Sequence, residues 1–553
     1  MIDLSQSLIF SDLDKANFFN SSFQTFFTKD NKKPFKLSSP HFLMQDFEIS
    51  YDDILKACAK MKQKISRTPE GIPSLFIKKS INSFLFPLHV LFNLFLSSNF
   101  VPAQWKTALI VPIFKKGDRR KASNYRPISL TSSFSRLFES VILDKMIHFT
   151  TTHELISRFQ FGFLPNRSSC SNLLSSLYHW IQSHHSSHCM KVLYTDIKKA
   201  FDSVNHRLII NVLSSLGIND HLVKWLKNFL SNRHQQVCIN SSVSSPLQVY
   251  SGVPQGSVIA PFLFSLVFNG ISELSYSSSV HLRLFADDKK LFSSDSADLQ
   301  QAINRSEKWL TEHQLLLAPE KCAILKIKKS SMRDSSDFFI SSYPVNEVQS
   351  FSDLGITVSS DLKWTSHIDK ICCKASIVSY QLFKSIRSKN IWTWMKLYNT
   401  YVRPKVEYNT PVWSPSLTKD VTKLERFQRY FTKFAFQKCS IPFESYEDRL
   451  KKIGYISLEK RRIYFDLVLL FKIISNSSDL KFNDYFSFTQ TSYSLRSHSL
   501  QIRPLLNLNS NHWQNSFFGR VSTSWNSLPA NIVHQTKPEV FKTLLKIHLN
   551  SLT

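Results

Sequence analysis

Val280-His-Leu-Arg-Leu-Phe285-Ala286-Asp287-Asp288-Lys-Lys-Leu-Phe292 sets two adjacent carboxylates between apolar runs. Apolar residues leading into and out of an acidic pair predict a hairpin with Asp287-Asp288 at its turn. Neighbouring carboxylates repel unless a cation or solvent lies between them. The stretch alone therefore reads either as a solvated turn or as half of a cation site. The same choice arises upstream in Lys191-Val-Leu-Tyr-Thr-Asp196, followed by Ile-Lys-Lys-Ala-Phe201-Asp-Ser-Val-Asn-His206. Its apolar run predicts a buried strand with Asp196 projecting from the end, where a helical pattern (Leu208, Ile209, Val212, Leu216) takes over. An aspartate so placed serves a metal or caps the helix.

Two further segments carry possible ligand chemistry. Ser251-Gly252-Val253-Pro254-Gln255-Gly256-Ser257 opens an apolar helical run, and its two glycines allow a tight bend with close backbone approach to a ligand. An ordinary loop-to-helix junction would look the same. Asn124-Tyr125-Arg126-Pro127-Ile128-Ser129-Leu130 follows a basic loop, Phe114-Lys-Lys-Gly-Asp-Arg-Arg-Lys121. An arginine held before a proline can present its planar fork to phosphate, or simply pair with a surface acid.

Composition narrows the partner. The chain has 553 residues, 69 Lys+Arg against 41 Asp+Glu, a net charge of +28, and 42% hydrophobic residues. That excludes a disordered polycation and points to a folded, multi-lobed protein with a polyanionic partner. Residues 363–462 concentrate the charge, with 21 Lys/Arg and 8 Asp/Glu. There Lys419, Arg426 and Lys433 recur every seven residues, with Lys423 near the same helical face and Trp364, Trp392, Trp394 and Trp413 interleaved. The first 30 residues are polar and acid-bearing, so no signal peptide is expected. The longest apolar stretch, Ser83–Val101, contains Pro87, His89 and Asn93 and reads as a buried helix, not a membrane span. Eight scattered cysteines predict no disulfide framework and fit a reducing intracellular setting. His184, His185, His188 and Cys189 form the one cluster with ligand chemistry, in what flanking serines suggest is an exposed loop. Glycine is scarce, ten in all, and Gly117, Gly162, Gly252, Gly256 and Gly355 fall within or beside these motifs.

Taken together and in this order, the segments resemble the reverse transcriptases of non-long-terminal-repeat (LINE-type, jockey-like) retrotransposons. The matching residues are Asn124–Leu130, Gln160-Phe-Gly-Phe-Leu-Pro-Asn-Arg167, Asp196–His206, Gly252–Ser257, Phe285–Asp288 and Leu354-Gly355-Ile356. Tyr401-Val-Arg-Pro-Lys405, Trp413 and Trp525-Asn-Ser-Leu-Pro529 look like the family's usual C-terminal region.

The resemblance implies an α+β right-hand polymerase of fingers, palm and thumb, with helical N-terminal and C-terminal extensions. It divides the chain into a helical extension or linker (1–95), fingers and palm (96–360), a basic helical thumb or connector (361–462) and a C-terminal region of unknown role (463–553). It implies an RNA-directed DNA polymerase adding dNTPs to a DNA primer on an RNA template. Asp196 and Asp287 would hold two Mg²⁺ ions, with Mn²⁺ as a substitute, and Asp288 would support them as a further metal-site residue. Arg126 and Lys116 would grip the triphosphate, and Phe201 would act as a steric gate against ribose. Gln255 and Gly256 would line the nucleotide pocket, and Leu354, Gly355 and Ile356 the primer grip. Lys419, Lys423, Arg426 and Lys433 would track the nucleic acid. In Leu317-Ala318-Pro319-Glu320-Lys321, Ala318 stands where the family often has Asn, which leaves Lys321 a weak candidate for the acid that protonates pyrophosphate. The family usually carries an endonuclease ahead of the polymerase. The chain instead opens on what resembles the following linker, so target cleavage is expected from a missing N-terminal domain or another protein. Action on chromosomal DNA implies the nucleus, with no membrane partner. The other class to weigh is an inactive or truncated retroelement remnant that binds nucleic acid, maturase-like.

Overall fold

The acidic stretch forms the expected hairpin, its strands buried on both faces. In the computed structural model, residues 9–551 are described except 36, 64, 66–67, 275, 330, 333 and 490–497. Strand β1 (Thr107–Phe114) turns back through the basic loop into β2 (Tyr125–Leu130), while β3 (Met190–Thr195) ends at Asp196. β4 (Arg233–Ile239), β5 (Ser242–Val243) and β6 (Leu247–Val249) join the first hairpin in a sheet of order β2-β1-β4-β5, with β6 also on β4. β7 (His281–Phe285) and β8 (Asp288–Ser293) form the acidic hairpin, and β9 (Ala323–Ile327) lies antiparallel on the other side of β3. After a small hairpin of β10 (Phe339–Ile340) and β11 (Tyr343–Pro344), β12 (Asn346–Val348) adds parallel to β9, completing the order β12-β9-β3-β8-β7. β13 (Ser350–Asp353) and β14 (Ile356–Ser359) make a separate hairpin.

This second sheet lies between two cores, which is why β3 is buried throughout. Successive strand residues point to opposite faces. Leu193, Leu291 and Ile324 enter a core shared with helices Tyr51–Lys60, Ile81–Ser97 and Ser133–Thr152. Val192, Tyr194, Phe292 and Leu325 enter the other, built from helices Ser169–His185, Thr365–Ser385, Thr418–Lys438 and Leu458–Ile474. At roughly 1.5–3 kcal/mol per fully buried large apolar side chain, this two-sided packing fixes the strand that carries Asp196. Residues on both sides of 95 share the first core, and residues on both sides of 462 share the second.

Three sequence expectations change here. Helix Ile81–Ser97 buries Leu88, Phe92 and Leu96 but leaves Phe86, Val90 and Leu94 exposed, so it is buried along one face only. Among the described residues no helix is long and apolar enough to cross a membrane. Trp394 and Trp413 are core residues rather than partners of the basic face, and of the four tryptophans Trp392 stands out in solvent. His184 belongs to helix Ser169–His185 and packs edge-on against His512, Cys189 is buried, and no metal cluster forms there among the described residues. The C-terminal residues gain a structural role. A hairpin of β15 (Phe486–Phe488) and β16 (Ile502–Pro504) and helices Phe517–Asn526 and Pro538–Ser551 pack on Tyr178 and its neighbours. Trp525 donates to Leu500 O at 2.8 Å, and Asn526 pairs with both backbone groups of Ile502.

Candidate active site

Asp196 leaves the end of β3, where its position is fixed by backbone rather than by a helix cap. Ala318 N donates to Asp196 O at 2.9 Å and Lys198 N to Leu316 O at 2.8 Å, so the segment before β9 runs antiparallel beside it. That segment delivers Lys321, whose Nζ lies 2.9 Å from Asp196 Oδ2. Asp287 sits in the adjoining hairpin. Phe285 pairs with Asp288, so the turn residues are Ala286 and Asp287, one position earlier than the sequence suggests. Ala286 takes a φ of 57°, a conformation that costs an alanine and that the surroundings must impose.

The imposing segment is Phe159–Gly162. It runs along the outer edge of β7, with Leu284 N donating to Phe159 O and Phe161 N to Leu284 O, both at 2.9 Å. Gln160 Oε1 then accepts from Ala286 N at 3.1 Å and from Gly162 N at 2.9 Å. Gly162 itself lies so close that a Cβ there would meet Ala286 N at 2.4 Å.

Asp196 and Asp287 open into one cleft of about 570 Å³. Its walls include Lys115, Lys116, Arg126, Lys199, Phe201 and Gln255. With Lys321 and Asp202 also in the lining, five cations face three carboxylates across a space large enough for a charged small molecule. Burial, and then the charge of Asp196, raises the Asp287 carboxyl above its ordinary range. Lys115 is lowered by desolvation and by Arg126, and Lys199 chiefly by desolvation. Phe201 stacks on Phe264 at 4.7 Å between centroids and meets Phe163 edge-on at 6.4 Å. Gln255 Nε2 donates to both carboxylate oxygens of Asp202 at 2.7 and 2.9 Å. Gly256 is exposed beside β2, where a Cβ would be 2.2 Å from Ser129 O. Nothing in the sequence marks Lys115, Lys199 or Asp202 individually, although Lys115 adjoins Lys116 and the other two lie within the Asp196 motif.

Asp288 faces the other side of the hairpin, into a smaller cavity of about 190 Å³ that it shares with Asp196, Lys321, Asp353 and Leu354. Burial at the cavity rim, then the charges of Asp287, Asp353 and Asp196, push its carboxyl up to about 7. Its residue surface nonetheless reaches water. Leu354 and Gly355 form the turn of the β13–β14 hairpin, both at positive φ, and Ile356 is fully buried beneath it. Tyr408 donates to Leu354 O at 3.2 Å. Lys419, Lys423, Arg426 and Lys433 all stand exposed on helix Thr418–Lys438, whose other face buries Leu424, Phe427 and Phe431. Lys423 is paired with Asp369 at 2.5 Å.

Asp202 supplies a pH prediction. Burial lifts its carboxyl from 3.8 to about 6, against the pull of the Gln255 amide. A raised value in the folded state favours the protonated form, so this stability is full below about pH 4 and is lost as pH rises through 6. The loss is about 3 kcal/mol at pH 7. Asp202→Asn should match the parent in urea unfolding at pH 4 and exceed its stability at pH 7; equal stability at both would remove burial as the cause.

The donor set fits a hard divalent cation only as a part-site. Among the described residues no three His, Cys, Asp or Glu side chains gather into a complete cage. Mg²⁺ usually takes one or two carboxylates, water and substrate phosphates, and the raised carboxyl of Asp287 beside Asp196 shows where positive charge is wanted.

A strand-end aspartate and a hairpin aspartate on an antiparallel sheet, faced by cations across a cleft and flanked by helices, define a right-hand polymerase fold. Residues 113–358 match the family described as Reverse transcriptase (RNA-dependent DNA polymerase). Similar proteins include the probable RNA-directed DNA polymerase from transposon X-element of Drosophila melanogaster, 26% identical over 61% of this chain and 38% of that protein. The RNA-directed DNA polymerase from mobile element jockey of the same organism is 22% identical over 76% of this chain and 48% of its own length. Residues 113–358 thus match a reverse transcriptase domain, the similar proteins are named for mobile elements, and the chain spans less than half the length of these relatives. The solved structure of telomerase from Candida tropicalis with a fragment of telomeric RNA overlaps at a TM-score of 0.39 and 10% identity, over 71% of this chain and 62% of that one.

Proposed function

We propose that the chain is an RNA-directed DNA polymerase that extends a DNA primer on an RNA template with dNTPs. The observation that carries this is the single cleft in which Asp196 and Asp287 face Lys115, Lys116, Arg126 and Phe201. Asp196 and Asp287 would hold two Mg²⁺ ions, or Mn²⁺ in their place, with Asp288 supporting them from the start of β8. Bound there, the ions would lower the charge cost of attack by the primer hydroxyl and of pyrophosphate departure. Arg126, Lys116 and Lys115 bind and orient the triphosphate across the cleft. Lys321, held on Asp196, stands ready to neutralise that carboxylate and to offer a proton to the departing phosphate. Where chromosomal DNA supplies the primer, the protein works in the nucleus. Incubating the protein with an RNA template, DNA primer, dNTPs and Mg²⁺ tests the reading: complementary DNA is expected, and bound template without product would favour a nucleic-acid-binding remnant.

Two predictions follow from the cleft and the basic helix. Phe201 lines the cleft, and with its ring as the gate against a ribose hydroxyl, Phe201→Val should raise ribonucleotide incorporation relative to deoxynucleotide by at least about tenfold, about 1.4 kcal/mol of discrimination. Competition assays with paired nucleotides measure it, and unchanged discrimination makes Phe201 a core residue only. Neutralising Lys419, Arg426 and Lys433 together should lower the slope of log affinity against log salt by roughly 2 to 3 for a duplex template–primer. An unaltered slope removes that face from the binding path.

A further inference from the structure

The acidic hairpin and the β13–β14 hairpin are joined by a buried ion pair that the cleft chemistry does not use. Lys290 Nζ donates to Asp353 Oδ2 at 2.6 Å, with the two side chains 4% and 7% exposed. The partners are 63 residues apart in sequence. Lys290 lies two residues beyond Asp288 on β8, hence on the same strand face, and Asp353 immediately precedes the Leu354-Gly355 turn. Beside the pair, Tyr194 and Phe351 stack at 4.0 Å with an interplanar angle of 10°. Tyr194 and Lys290 are direct cross-strand neighbours, and Phe351 and Asp353 are alternate residues of β13. The hairpin is therefore seated on the sheet at two adjacent points, one a ring stack and one an ion pair.

These contacts constrain differently. A ring stack tolerates sliding, whereas a desolvated ammonium–carboxylate bond is directional and has no water to replace it. Buried ion pairs contribute little net stability compared with an apolar pair of like volume, and their best-attested use is to fix register. We propose that Lys290 and Asp353 are a positioning pair that sets the β13–β14 turn against the catalytic hairpin, so that a primer end held at Leu354-Gly355 meets Asp196 and Asp287 in register. This rests on the polymerase reading above.

The test compares Asp353→Asn with the double variant Lys290→Met/Asp353→Leu, measuring single-nucleotide addition, thermal unfolding and amide hydrogen exchange in the full chain. Asp353→Asn should cut kcat at least tenfold while the KM for dNTP stays within twofold, and should speed exchange at 350–359 more than in β3 and β8. The apolar double variant should regain parental thermal stability yet keep the kcat loss. Recovery of kcat together with stability would overturn the proposal, as would unchanged exchange at 350–359 in Asp353→Asn. If the wild-type protein extends no primer, the polymerase reading falls, and the exchange result alone then decides whether the pair positions the hairpin.

Discussion

Asp196→Ala and Asp287→Ala should each reduce primer extension by at least about a thousandfold, because in the proposed mechanism losing either carboxylate forfeits several kcal/mol of charge stabilisation at the reacting phosphates. The fold should survive both changes. Asp196 is partly exposed at the strand end and held through its backbone, and the Asp287 carboxyl is raised by burial and by Asp196, so removing either acid relieves repulsion. Template–primer affinity should therefore stay close to parental while the rate collapses, and gel-shift and extension assays on the same preparation separate the two. Asp288→Ala should cost less than either, since Asp288 faces the smaller cavity. Retained extension in Asp196→Ala or Asp287→Ala would mean that the chemistry lies elsewhere.

Gly162→Ala is expected to cost about a hundredfold in rate without touching a charged group, since a displacement of about 1 Å at a reacting centre has that order of effect. The added methyl would meet Ala286 N at 2.4 Å and Phe285 C at 3.0 Å, both backbone atoms that cannot rotate away. The turn must then lift from Gln160, breaking the 3.1 Å bond that holds Ala286 at positive φ and moving Asp287 with it. Thermal unfolding should fall modestly while single-nucleotide addition falls steeply. A near-parental rate would show that the Gln160 segment does not govern where Asp287 stands.

The palm was legible because its signals are local. An apolar run ending in Asp196 makes a strand buried on both faces, and apolar residues either side of Asp287-Asp288 make a hairpin. The turn itself was displaced by one residue because Ala286 has no intrinsic liking for positive φ; a glutamine 126 residues away imposes it. The basic face of helix Thr418–Lys438 was readable from its seven-residue spacing, but the tryptophans were not. A large amphipathic ring fits core or surface equally well, and only tertiary packing sent Trp394 and Trp413 inward. At Gly256 the backbone also closes on Ser129 of the neighbouring strand, a long-range approach that the local sequence does not announce. Lys290 and Asp353 gave no signal at all, because neither spacing nor composition marks a pair that distant in sequence.

Extension of a DNA primer on an RNA template in Mg²⁺, with one dNTP withheld and the product sequenced, decides whether this protein copies RNA into DNA. The expected product is DNA complementary to the RNA, stopping at the first template position that calls for the missing nucleotide, and none of it in Asp287→Ala. A folded protein that binds the template–primer yet adds no templated nucleotide, or whose product persists in Asp287→Ala, would contradict it.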